Sequence, residues 1–434
     1  LETRELLASR AWWLLLAMTG PLVGQAFLTA VESYAELSGA GGGPAALAEG
    51  LRPLDGFIVP TFGAYDLATT FLFPFVAIRL IAAERESGAG KLLAQTSLGM
   101  ASRLTVKAGV LLLGWLLAWI PALLALLLWR GYGGHLDAAE TANVVLGHVL
   151  HALLTAGVAV AAAAVCRSSA SAAIVTLGFT VGTWALDFMA AVRGGLLERL
   201  APFTPAAALR TFEHGELRLA LVAVLLLAGL AGFTFAALWL DPYRRFRDRA
   251  VRSAALLLLI VGAAFFAASW RSGWDLSADR RNSFPRADEA LLRTIAKPVR
   301  ITAHLSPEDP KLADLERNIL AKLRRVLPDL EVTYAAQSRT GLFEEADSHY
   351  GEIWYQVGSR RDQLRSTIEP VVLAKLYELA GVRPPAAGSD PPYPGYPLTA
   401  APRGAAPLFY VLWPAAVALA YFVIRRRSSC RNPF

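Results

Sequence analysis

The sequence predicts a mainly α-helical, polytopic membrane protein with about eight transmembrane helices and one small α/β domain outside the membrane. Three observations predict it. Apolar side chains make up 55% of the 434 residues and charged ones 18%, with a mean hydropathy of +0.42, which departs from soluble-domain usage. Eight apolar runs are long enough, at about 1.5 Å per residue, to cross a hydrocarbon core about 30 Å thick. Between the last two runs lies a polar segment in which helical and period-two spacings alternate, the mark of a layered α/β unit.

The runs are Ala11 to Val31, Phe57 to Ala82, Leu104 to Trp129, Val144 to Val165, Ala172 to Ala191, Leu219 to Leu240, Ala250 to Trp270 and Pro407 to Ile424. Short connections rich in Lys and Arg stay in the cytoplasm. The clusters "DPYRRFRDRAVR" and "RRRSSCR" therefore place both termini inside, and the acidic connection Glu32 to Gly56 outside. The outer connection from Arg193 to Arg218 departs from this rule by carrying arginines. The first run reads as a span rather than a cleaved signal, since its removal would leave an odd number of spans. The net charge of +7 is explained by topology and attraction to anionic lipids, so no nucleic acid partner is implied. Cys166 and Cys430 both fall on the inner side, which leaves the outer region without a disulfide framework.

Three parts follow. Residues 1–249 form a six-span domain. Residues 250–270 and 407–424 are two further spans flanking the outer segment 271–406, and 425–434 is a basic inner tail. In the outer segment, "SFPRADEALLRTIA" predicts a helix with Ser283 as cap and Pro285 in its first turn. "PVRITAHL" and "LEVTYAA" read as strands on either side of the helical "DPKLADLERNILAKLRRVL". "EIWYQVGSRRDQLRS" reads as a hairpin turning near Gly358, and "PVVLAKLYELAG" as a helix stopped by Gly381. Residues 383–406 are too rich in proline for regular structure and predict a stiff linker.

The stretch "ERESGAGKLLAQTSL", Glu84 to Leu98, invites comparison with a phosphate-binding loop. The form G-x-x-x-x-G-K-[ST] would need glycine at Arg85 and a hydroxyl at Leu92. Neither is present, so no cofactor is assigned to this chain. Glycines 88 and 90 break from the preceding helix, and Lys91 to Leu98 can form about two helical turns with Leu92, Leu93 and Thr96 on one side.

The run Glu84-Arg85-Glu86-Ser87-Gly88 followed by Lys91-Leu92-Leu93 resembles the "E-R-E-x-G-T-L-E-x-L-L" coupling region of ABC-2 type exporter permeases. "LAPFTPAAALRTFEHGELRL" is similar to a segment before the last span in the GldF and NosY permeases, with Ala208 and His214 as departures. "WDLSADRRNSFPRADEALLRTIAKPVRITAHLS" resembles the opening of GldG-type auxiliary components. The resemblance implies a fused permease and truncated GldG-like domain in a bacterial inner membrane, with 271–406 periplasmic. It implies a pair of permeases, either two copies or this chain with a related one, and a cytoplasmic ATPase dimer that binds ATP and Mg. The chain itself would be no enzyme. Glu84, Arg85, Glu86, Ser87, Gly88, Lys91, Leu92 and Leu93 would couple it to the ATPase. The segment "LETRELLASR" would be an amphipathic helix on the inner surface, and Val192 to Leu217 a re-entrant helix pair. The cargo would be hydrophobic, amphipathic or an envelope component; alternatively the outer domain would act mechanically on a periplasmic partner, with nothing crossing.

Asp66 and Asp187 are candidates for a translocation path, because a charge at mid-depth costs about 3 kcal/mol or more unless it is paired or functional. Asp187 falls nearer the outer edge, where solvation accounts for it. His148 and His151 share a helical face, but no acid adjoins them in sequence to complete a metal set. Arg360, Arg361 and Arg365 are candidate contacts for an anionic ligand or periplasmic partner, set against the alternative of a solvated hairpin face.

Overall fold

The computed structural model describes residues 2–39, 50–86, 88, 99–193, 201–269, 273–306, 309–327, 329–335, 349–385, 393–398 and 404–430. Eight helices in it are long and apolar enough to cross a membrane: Arg10–Leu37, Leu54–Arg85, Met100–Gly131, Ala138–Val165, Ser169–Met189, Leu219–Leu240, Phe246–Ala267 and Leu408–Arg426, here spans 1 to 8. Each overlays one apolar run of the sequence. Several extend past it, because backbone hydrogen bonding continues into polar flanks where hydropathy has already fallen. A short helix, Glu2–Ala8, precedes span 1, and Ser9 in extended conformation (φ −74°, ψ 117°) separates the two.

Span 4 is the central post. Of its apolar window 67% is buried, against none of that of span 7. Its closest partner is span 6, where Gly157 meets the backbone of Gly229 and Gly232 with no side chain between them. Lipid offers apolar side chains no hydrophobic gain on helix association, so close backbone approach and dispersion hold such pairs together. Span 7 leaves the bundle beside span 6, where Trp239 Nε1 donates to Ser253 Oγ at 3.1 Å. Span 8 returns to span 1. Gly20 and Gly24 open a groove for Trp413 and Phe409, and Trp413 Nε1 donates to the Leu16 carbonyl at 2.7 Å.

Two sheets lie at one end of the bundle, called here the domain end. A short antiparallel pair, β1 (Glu216–Arg218) with β2 (Gly273–Asp275), joins the connection before span 6 to the segment after span 7. The second sheet contains β3 (Val299–Ala303), β4 (Leu330–Tyr334), β5 (Ile353–Val357) and β6 (Arg360–Leu364) in the order β4-β3-β5-β6. β3 is parallel to β4 and antiparallel to β5, with Val299 opposite both Leu330 and Val357. The period-two apolar positions Val299, Ile301, Ala303, Ile353, Tyr355 and Val357 face a core shared with Leu315, Ile319, Leu323, Leu376 and Tyr377 from the covering helices. The helix Glu369–Ala380 ends on Gly381 at φ +74°, a left-handed cap that favours glycine.

One local expectation changes. Ser283 does not cap the following helix, whose N-cap is Pro285 with no side-chain cap bond. The Ser283 hydroxyl instead donates to Asp275 Oδ2 at 2.7 Å. Asp275 also receives Ser277 N at 3.1 Å and Asn282 N at 3.0 Å. A carboxylate that collects several donors out-competes a lone hydroxyl for organising this loop.

The tight crossing of spans 4 and 6 sets a first prediction. Gly157→Val should force the two helices apart and lower the melting temperature in detergent by several degrees, since overpacking costs about 1–3 kcal/mol. Gly182→Val, where nothing lies within 4 Å of an added Cβ, should melt within a degree of the unmodified chain.

Candidate functional site

At the end of the bundle opposite the sheets, the helix preceding span 1 folds back against span 3. Lys107 Nζ lies 2.5 Å from Glu2 Oε2, 2.8 Å from Glu84 Oε1 and 3.5 Å from Glu5 Oε2. It also donates to the Leu80 carbonyl at 3.2 Å. Arg103 adds a second cation 3.3 Å from Glu84 Oε2. Glu2, Glu5 and Glu84 form the one three-acid grouping among the described residues with ligand-like spacing. The ammonium of Lys107 already stands among them. Burial pushes the Glu5 carboxyl up; Lys107 pulls it down, and Glu2 and Glu84 add to the rise.

Next to this knot, Arg85 reaches across to span 4. Its Nη1 donates to the carbonyls of Ala163 at 2.5 Å and Cys166 at 2.7 Å. Carbonyls in the last turn of a helix have no partner within it, and a guanidinium satisfies several at once. Glu84 and Arg85, two of the expected coupling residues, therefore bind the ends of spans 2, 3 and 4 that lie opposite the sheets, and the first helix, to one another. Gly88 follows at φ +74° and turns the chain away. Ser87, Lys91, Leu92, Leu93 and the rest of the expected coupling helix lie outside the described residues, as does the side chain of Glu86.

Within the bundle the structure assembles polar residues from four elements. His148 and His151, one turn apart on span 4, are both buried. Asp66 of span 2 lies 3.7 Å from His151 Nε2, and Glu213, at the end of the helix Pro205–Glu213, lies 3.8 Å from His148 Nε2. Asp187 of span 5 pairs with Arg210 of that same short helix. Asn143 anchors the helix further by donating to the Phe212 carbonyl at 2.8 Å. Acids that do not adjoin the histidines in sequence thus face them in space. Asp187 is ion-paired rather than only solvated. Sequence spacing on span 4 revealed the histidines, but Glu213 and Arg210 carried no signal that tied them to these rings.

At the domain end, the loop after β2 docks on the bundle. Arg281 Nη1 reaches both carboxylate oxygens of Asp55 at 2.6 and 2.7 Å. Glu140, at the start of span 4, accepts from Ala278 N at 2.7 Å, and Arg52 pairs with Asp279 at 2.8 Å. The proline-rich linker rests on span 1, with Tyr34 donating to the Tyr396 carbonyl at 2.8 Å and Leu398 N to Ser38 Oγ at 3.0 Å. Between linker and sheet domain lies a cleft of about 720 Å³ lined by Arg281, Phe284, Lys322, Glu369, Tyr393 and Tyr396 among others. Lys322 is held there by Glu369 at 2.7 Å.

The arginines of the hairpin do not form one patch. Arg360 donates to the Glu378 carbonyl at 3.4 Å, Arg361 stacks 4.1 Å above the Trp354 ring, and Arg365 lies 3.0 Å from Glu352. Alternation along β6 sends Arg360 and Arg361 to opposite faces. Comparison with known proteins adds no relative: no family model, curated protein or solved structure matches the chain.

Two predictions arise from these contacts. Lys107→Met should lower the melting temperature in detergent by several degrees, because it takes from Glu2 and Glu5 the cation they share and leaves buried Glu84 with Arg103 alone; a thermal melt that matches the unmodified chain would contradict this. Arg365, then His349, holds the Glu352 carboxyl below 4.5. The stabilisation this gives is present above pH 4.5 and is lost as pH falls through the lower folded value. In a carboxyl-carbon NMR titration, Arg365→Gln should move the Glu352 midpoint upward.

Proposed function

We propose that the chain is the permease subunit of an ABC-2 type exporter, driven by separate cytoplasmic ATPase subunits. The observation that carries this reading is the knot at Glu84, Arg85 and Lys107, immediately before the segment whose sequence resembles a coupling region. A push on that segment is received by a junction already joined to the first helix and to spans 2, 3 and 4. Movement there cannot be absorbed by one helix alone. Glu84 and Arg85 then act as transmitting residues, and the contact with the ATPase falls to Lys91 through Leu98.

A mechanical reading is favoured by a separate observation. Spans 2 and 4 are tied to each other at one end by Arg85, and at the other both are tied to the loop after β2, through Asp55 and Glu140. Two helices fastened together at both ends carry displacement along their length to the sheet domain. In this reading the domain acts on an envelope component or a periplasmic partner, and passage of cargo is not required.

A photocrosslinking amino acid at Leu93 should capture a nucleotide-binding ATPase, whereas the same group at Tyr243, which is exposed in another connection on that face, should not. Leu93→Arg should abolish the ATP turnover that depends on this chain while leaving its melting temperature unchanged. Capture at both positions alike, or undiminished turnover in the variant, would sink the exporter and mechanical readings together. Retained turnover in a complex whose cargo path stays sealed would leave the mechanical one standing.

A further inference from the structure

We propose that Asp66, His151, His148 and Glu213 form a proton-binding site inside the membrane domain, each carboxylate taking up a proton beside the imidazole that faces it. The two pairs are stacked one helical turn apart along span 4. Asp66 lies about 18 Å below the start of span 2, well within the hydrocarbon depth.

Among the described residues the cation beside these carboxylates, Arg210, already pairs with Asp187. Span 2 contributes Asp66 and Thr70, span 4 the two histidines and Thr155, and span 5 Thr180, Thr183 and Asp187. The helix Pro205–Glu213 contributes Arg210 and Glu213, and His214 follows it. Arg210 is engaged by Asp187. Span 3 turns the Trp119 ring toward His148 at 5.8 Å, and span 6 contains no titratable side chain. An ionised carboxylate in such a place is costly. Taking up a proton on the carboxylate removes that cost.

The facing groups are close without being bonded. At 3.7 and 3.8 Å the facing atoms are too far apart for a direct hydrogen bond. His148 Nε2, in a residue only 1% exposed, has no hydrogen-bond partner. A small cavity lined by Asp66, Thr70, His151, Thr155, Thr180 and Thr183 adjoins the lower pair, and its hydroxyls suit a bridging water. A single metal ion fits less well. The two pairs do not bring three ligand atoms within 4.8 Å of one another, unlike Glu2, Glu5 and Glu84.

The test is a pH titration of the full chain in lipid nanodiscs with nitrogen-15 in its six histidines, His148→Asn and His151→Asn assigning the two resonances. The ring nitrogens of His148 and His151 should shift between pH 5.5 and 9. Asp66→Asn should displace the His151 midpoint by a unit or more, about tenfold in proton affinity, and have a smaller effect on His148; Glu213→Gln should do the reverse. If either amide variant does not fold, Asp66→Glu and Glu213→Asp replace them and must still move the facing ring. Rings that stay unshifted across this range, or whose midpoints ignore both acids, would overturn the proposal. So would one equivalent of zinc binding to both rings at neutral pH, which would make the pairs a metal site instead.

Discussion

The guanidinium of Arg85 closing the end of span 4 is the contact on which the arrangement of the bundle turns. A helix that ends in or near lipid must find donors for its last carbonyls, and span 4 finds them on span 2. That requirement fixes the two most buried spans side by side. Their polar residues, Asp66 on one and His148 and His151 on the other, then face inward at matching depth. The knot of Lys107 with Glu84 and the first helix adds span 3 to the same junction. Charges that would be costly in isolation are instead the fixed points about which apolar helices are arranged.

Much of this architecture was legible in the sequence because its signals are local. A run of apolar residues has one low-energy fate in a membrane, and all eight runs became helices. In the outer segment the alternation of Val299, Ile301 and Ala303 and the helical spacing of Leu312, Leu315 and Ile319 set strand and helix without reference to anything distant. Gly358 and Gly381 marked a turn and a stop for the same reason. What the sequence concealed were the partnerships. Lys107 reads as a stray cation near the start of an apolar run, and its three acids come from two other elements. Glu213 is far from His148 along the chain. Such pairs follow from helix rotation and depth, which hydropathy does not encode.

The hairpin arginines illustrate the converse. Three basic residues within six positions suggest a patch, yet strand alternation and the nearest available partners disperse them. Arg361 covers an indole, Arg365 meets a carboxylate, and Arg360 finishes a helix end. Composition reports the charge of a segment; the pleat decides whether that charge ever acts together.

Span 8 seated in the glycine groove of span 1 has a further consequence. The sheet domain leaves the membrane beside span 6 and re-enters it beside span 1, so it is held like the handle of a cup at two separated points on the rim. A domain on a single stalk can swivel without effort, and torque applied to it is lost. A handle fixed at both roots resists twisting and delivers any turn to both sides of the vessel at once. Phe409 and Trp413, filling the space left by Gly24 and Gly20, form the second root. They seat the returning chain on span 1.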